Sequence, residues 1–262
     1  MPNESTPLTA GRLPIMVVSH ERSGTHFTMN SLAECFGYVS SPWFSFDVHH
    51  FDINYFHAPS VKGVIMNLAG LRLANLIKSH HEFEFFKQFM PATEGRLEIV
   101  YVYRNPADVM SSFWRFLHAW EWVEGPVEDT ALGFATAAPM GHLMRYQFRQ
   151  YPSMLERWAN HVEHWVDAAR RANNIHIVRY EDLADHFEDT IGRLGRRLGV
   201  QPARIAPPSR TDNVVADGPV VWTPEQGADN RAAVDQLARA MFPALMDRLG
   251  YGPASSSMAS AS

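Results

Sequence analysis

The residues best suited to chemistry lie in two short runs, HERSGTH at 20–26 and YRNPADVMSS at 103–112. The first sets Arg22, Ser23, Thr25 and His26 around a glycine, Gly24. It follows an apolar run at 13–18 and opens into another periodic stretch at 27–36, which places Ser23, Gly24 and Thr25 at the N-terminus of a helix. Main-chain N–H groups without intrahelical partners attract phosphate or sulfate there, and a glycine lets the backbone come close to the anion. The second run follows residues 97–103. Asn105 suits an N-cap and Pro106 the first helical position, so Arg104 stands at the end of a strand and Ser112 two turns into a helix. Two anion sites at the C-terminal ends of strands imply a ligand with two anionic ends.

The elements that must position these residues follow from hydrophobic periodicity. Strands are predicted at 13–18, around 75–79, at 97–103 and at 174–180, and helices at 27–37, 106–120, 155–172, 187–198 and 230–249. This alternation predicts one α/β domain over 13–252, with a central parallel sheet flanked by helices. In the helix at 155–172, Leu155, Trp158, Ala159, Val162, Trp165, Val166 and Ala169 fall on one stripe, which is the pattern of core packing. Phe187, Ile191, Leu194 and Leu198 repeat it, and Gly199 closes that helix. Residues 1–12 and 253–262 lack core-forming sequence and are expected to be disordered ends. Two regions, 40–60 and 119–153, read poorly as regular elements, and both are candidate walls or lids of a substrate pocket.

Composition narrows the function. With 23 Lys and Arg against 28 Asp and Glu, a net charge of −5, the chain lacks the basic face that nucleic-acid binding needs. No apolar run approaches the roughly 20 residues that span a bilayer, so membrane insertion is not expected, and the N-terminus carries no signal-peptide pattern. These features predict a cytoplasmic protein. The single cysteine, Cys35, excludes an intrachain disulfide and is expected to pack on the buried face of the first helix. His49, His50 and Asp52 could be metal ligands by type, but adjacent histidines on a strand point to opposite sides, and no metal is expected.

Taken together, these residues resemble the sulfotransferases that use 3′-phosphoadenosine-5′-phosphosulfate (PAPS). SHERSGTHF is similar to their 5′-phosphosulfate loop, and YVYRNPADVMSSFW to their 3′-phosphate motif, including the eight-residue spacing from Arg104 to Ser112. IKSH at 77–80 is similar to the family's Lys-x-His segment, WANHVEHW at 158–165 to its Trp-His-Trp helix, and RYEDL at 179–183 to its Tyr-Glu-Asp segment. Five motifs in the expected order cover roughly residues 14 to 200. Two substitutions keep the physical type: Arg22 stands where the family usually has lysine, and Phe27 where it usually has tryptophan. The C-terminal glycine-rich loop is less alike; its nearest counterpart is the stretch at 209–226 with Arg210, Gly218 and Trp222.

The resemblance implies a P-loop-like sulfotransferase fold, PAPS as donor and 3′-phosphoadenosine-5′-phosphate (PAP) as product. It assigns Arg22, Ser23, Gly24, Thr25, His26, Phe27, Arg104, Ser112, Tyr180 and Arg210 to donor binding, with Phe27 and Tyr180 open to serving instead as core aromatics. Arg22 and Lys78 would neutralise the leaving oxygen, so no metal is required. His80 would be the base, because an imidazole with a reference pKa near 6.5 suits proton removal near neutrality; His81 and then Glu82 are the alternatives. The acceptor would be a hydroxyl on a small organic molecule or sugar, and the aromatics at 40–60 suit either a ring-bearing acceptor or the core. A nucleotide kinase is the rival enzyme, but HERSGTH has one glycine and no Lys-[Ser/Thr] pair where a Walker loop needs G-x-x-x-x-G-K-[ST]. A non-catalytic nucleotide-binding protein would be favoured were Arg22, Lys78 or His80 missing. The sequence leaves the oligomeric state open.

Overall fold

The computed structural model describes residues 12–45, 62–63, 66–67, 75–119, 125–209 and 230–252. Five strands form its sheet: β1 (Ile15–Ser19), β2 (Val39–Ser45), β3 (Asn75–Ser79), β4 (Glu98–Tyr103) and β5 (Ile175–Arg179). Their order is β2-β3-β1-β4-β5, and every neighbouring pair is parallel. β1 is buried along its whole length, as expected of a near-continuous apolar strand covered on both faces.

Alternate residues of the strands feed two separate cores. On one face Met16, Val18, Ile77, Ile99 and Tyr101 pack with Phe113, Trp158, Val162 and Trp165. On the other, Ile15, Val17, Leu76, Val100 and Val102 pack with Leu32, Cys35, Phe36, Ile191 and Leu194. The result is a three-layer α/β/α arrangement. Its helices are α1 (Thr25–Phe36), α2 (Met90–Thr93), α3 (Pro106–Ala119), α4 (Ala131–Thr136), α5 (Met154–Ala169), α6 (Tyr180–Asp185), α7 (Phe187–Leu198), α8 (Arg231–Met241) and α9 (Pro243–Arg248).

The helix ends follow local chemistry. Ser153 caps α5 by accepting from the Glu156 N–H at 3.1 Å, and Gly199 ends α7 in the left-handed conformation at φ 66°. Two elements differ from the sequence expectation. The stretch 230–249 is two helices, because Pro243 has no N–H to continue α8 and the preceding Phe242 leaves helical geometry at φ −131°, ψ 51°. Residues 39–45, inside a region that reads as irregular, form β2; its Pro42 is tolerated because β2 lies at the sheet's edge. No helix among the described residues is long and apolar enough to cross a membrane.

Candidate active site

Because β1 lies between β3 and β4, the chain segments that leave their C-terminal ends come together. These are the segment beginning at His80, the loop at 20–24 and the turn at Arg104. The loop is tight: Arg22 sits at φ 64° and Gly24 at φ 95°, and the Ser23 N–H donates to the His20 carbonyl at 3.2 Å. Gly24 is the N-cap of α1. A Cβ there would lie 2.2 Å from Cδ2 of Tyr180, so glycine is required both by conformation and by the ring that covers it. Inside the turn the Ser19 and Thr25 hydroxyls are 2.6 Å apart.

The second turn is capped as its sequence predicts, with the Asn105 side chain accepting from the Ala107 N–H at 2.8 Å. Arg22 joins the two turns: its Nε donates to the Ser112 hydroxyl at 3.1 Å, and its guanidinium lies 4.6 Å from the Phe116 ring centroid. The Arg104 guanidinium lies 4.6 Å over the Tyr180 ring, whose centroid is 6.1 Å from that of Phe27. Glu181 fixes this turn further, accepting from the Asn105 N–H at 2.8 Å and from the Tyr251 hydroxyl at 2.8 Å. Burial, then the neighbouring charges of Arg104 and Arg115, push the Arg22 pKa down to about 10. Like charges close enough to depress one another are unfavourable by themselves and become favourable around an anion. The Ser23 hydroxyl and the Arg104 Nε are buried without a hydrogen-bond partner, so the site holds donors still to be satisfied. The residues present therefore fit a ligand with two anionic groups.

His80 follows β3 and is nearly buried. Its Nδ1 lies 2.8 Å from the Ser19 carbonyl oxygen, which can only accept, so in the neutral ring Nδ1 carries the proton and Nε2 the lone pair. His81 turns the other way. It is fully buried, with Nδ1 3.1 Å from the Ser79 hydroxyl and its ring against Phe85 and Tyr146 at 5.0 and 5.2 Å. Tyr146 also stands beside His80, with ring centroids 5.8 Å apart. It belongs to a 3₁₀ turn at Gly141–Tyr146, inside one of the two regions expected to line a pocket.

Sequence reasoning missed the network behind these groups. Arg157 on α5 is fully buried and grips Glu21 with two bonds, at 2.8 and 2.7 Å, while its Nη1 also lies 2.8 Å from Nε2 of His20. Burial alone would raise the Glu21 carboxyl, but Arg157 and then His20 hold it well below the usual carboxylate range. One turn further along α5, His161 Nε2 lies 3.1 Å from the His80 carbonyl, and the Tyr101 hydroxyl meets its Nδ1 at 2.9 Å. A turn beyond that, the Trp165 Nε1–H donates to the His81 carbonyl at 3.2 Å. A signal was present in the sequence: Arg157 and His161 sit four residues apart beside the apolar stripe, where a solvated face would not place them against the core.

The sequence model described as a sulfotransferase domain matches residues 13–217, more than half of the chain. The chain belongs to the sulfotransferase domain family. Among curated proteins none matches it. Solved structures that resemble this sulfotransferase-family chain include a mouse sulfotransferase complexed with PAP, at 17% identity over 74% of this chain and 62% of that one, with a TM-score of 0.49. A sulfotransferase from Alicyclobacillus acidocaldarius resembles it at 15% identity over 92% and 97% of the two chains, also at 0.49. Retinol dehydratase in complex with androsterone and inactive cofactor PAP does so at 18% identity over 72% and 60%, at 0.44. The chain thus spans about 60% of the length of two of these proteins.

Within the sulfotransferase-family site, Arg22, Ser23, Gly24, Thr25, Arg104, Ser112 and Tyr180 gather at the ends of β1 and β4, with Phe27 beside Tyr180. His26 lies in the first turn of α1, and Lys78 is half-buried on β3, paired with Val17 of β1. Arg210 lies outside the described residues, as do Gly218, Trp222, His49, His50 and Asp52. Among the described residues no cluster of three or more His, Cys, Asp or Glu could hold a metal ion.

Proposed function

We propose that this chain moves a sulfuryl group from PAPS to a hydroxyl of a small organic molecule or sugar. The observation that carries this reading is the Arg22–Ser112 hydrogen bond, which joins the turns after β1 and β4, beside the contact of His80 Nδ1 with the Ser19 carbonyl at the end of β1. In this reading the turn of Arg104 and Ser112 takes the 3′-phosphate, and the loop at 22–26 takes the 5′-phosphate. The acceptor proton passes to Nε2 of His80 as the acceptor oxygen bonds to sulfur. The bond from sulfur to the 5′-phosphate oxygen breaks, and the departing PAP keeps its electron pair, with Arg22 and Lys78 neutralising the charge that develops. Phe27 and Tyr180 meet edge to face at 6.1 Å, so in this reading they would border the adenine from one side rather than sandwich it. Sulfuryl transfer spreads less negative charge than phosphoryl transfer, so fixed cations suffice without a metal.

The test is a screen of hydroxylated small molecules with radiolabelled PAPS in excess EDTA. Label should move to at least one acceptor in chelator, and His80→Ala should lower turnover by about 10²- to 10⁴-fold while PAP binding stays near wild type. Activity lost in EDTA and restored by Mg²⁺ or Zn²⁺ would overturn the metal-free mechanism. Wild-type turnover in His80→Ala would overturn the assignment of the base.

A further inference from the structure

We propose that His161 is a positioning residue that holds the main chain of His80 and thereby keeps its ring in the tautomer protonated on Nδ1. The inference rests on the proposed function only for its consequence in turnover; the geometry stands apart from it. His161 meets the His80 carbonyl at 3.1 Å and the Tyr101 hydroxyl at 2.9 Å. A carbonyl can only accept, so His161 carries its proton on Nε2, and its Nδ1 must then accept from Tyr101. The ring is fully buried, and burial first, then the neighbouring His20 ring and Arg157, hold its pKa well below the ordinary value. A protonated His161 would lose the acceptor that Tyr101 needs.

The chain of contacts is continuous. Tyr101 lies in β4, and its ring stacks with His161 and Trp165 at 5.7 and 5.5 Å. His161 fixes the carbonyl of His80, whose ring then reaches the Ser19 carbonyl at the end of β1. The Trp165 bond to the His81 carbonyl fixes the next residue from the same helix. Two successive peptide groups after β3 are therefore tied to α5, leaving the imidazole of His80 little freedom in either direction or tautomer. A free imidazole favours the proton on Nε2, the wrong nitrogen for a base facing a donor, so the Ser19 contact must be enforced by position.

The deciding experiment is nitrogen-15 NMR of the His80 ring in the full chain, with calorimetric binding of PAP as a control. In the wild type the proton should reside on Nδ1. In His161→Leu the Nε2-protonated form should become substantially populated, and in His161→Gln, whose amide can still donate to the carbonyl, the wild-type tautomer should return. PAP affinity should stay within about twofold in both, since neither contact belongs to the donor site. Turnover with an acceptor from the screen should fall about 10- to 100-fold in His161→Leu and recover in His161→Gln, as expected for a misplaced reactive group. Tyr101→Phe, which removes one buried hydroxyl, should shift the tautomer in the same direction and decides the matter if His161→Leu does not fold. A His80 tautomer unchanged in His161→Leu, or in Tyr101→Phe where that variant must decide, would overturn the proposal. Failure of the base assignment looks different: His80→Ala would be active whatever the tautomer in the His161 variants.

Discussion

A carboxylate sealed from water survives in charged form only with a partner, and Glu21 depends on Arg157 for both its charge and its place. Arg157→Met should therefore destabilise the fold by about 3–5 kcal/mol, read as a lower midpoint in urea, because it strands a buried charge rather than merely deleting a bond. A loss under about 1 kcal/mol would mean that the pair is solvated. The same two bonds occupy both carboxylate oxygens of Glu21, so this acid is committed to Arg157. In the donor site, Arg104→Ala and Ser112→Ala should weaken PAP binding far more than they lower turnover at saturating donor, the arginine more than the serine, since its contacts would be charge-assisted. Calorimetry and initial rates check this, and wild-type PAP affinity in both variants would refute the assignment of that turn. The places of Arg104 and His80 were legible in the sequence because each directly follows a strand whose end carries local signals, and Ser112 through its eight-residue spacing from Arg104. The partners of Arg157 and His161 were not, although His161 falls in the Trp-His-Trp segment: which loop lies against α5 is tertiary information.

At the scale of elements, the loop after β1 works because Gly24 takes a left-handed conformation under the Tyr180 ring. Gly24→Ala should strain the backbone and push Cβ into that ring, so the α1 N-terminus and α6 must separate. The expected outcome is at least a tenfold loss in PAP affinity, with a lowered melting temperature, measured by calorimetry; unchanged binding would mean that the loop does not cradle the anion. The strands at 75–79 and near 98–103, the helix at 187–198 and the Asn105 cap were readable because periodicity and caps are local. β2 was hidden by Pro42, which argues against a central strand but says nothing against an edge. The single helix expected at 230–249 failed at Pro243, whose effect on the preceding turn outweighed a continuous apolar pattern. The Tyr-Glu-Asp segment gained its meaning only in three dimensions: Tyr180 covers Gly24 and meets Arg104, and Glu181 holds the Asn105 N–H.

For the molecule as a whole, buried neutral histidines tie stability to pH. Burial above all lowers the His20 pKa from 6.5 to about 4, and His161 is lowered as well. Below pH 6.5 the unfolded chain takes up a proton at His20 that the folded chain refuses until about pH 4. The stabilisation is complete above pH 6.5 and declines through that window, by about 3 kcal/mol for His20 alone. Glu21, depressed by Arg157, adds loss in the same direction at still lower pH. The melting temperature should be flat from about pH 8 to 6.5 and fall steadily below, with a shallower fall in His20→Gln; a melting temperature that rises on acidification would contradict the buried neutral network. On the proposed reading, the sheet order and the two turns at adjacent strand ends would make a site for a nucleotide bearing a phosphate at each of two positions. The most direct measurement is calorimetric titration of the wild-type chain with PAP and, separately, with ATP in EDTA. The account predicts one-to-one binding of PAP, far tighter than ATP and weakened at least tenfold by Arg104→Ala; equal or tighter binding of ATP, or no binding of PAP, would contradict it.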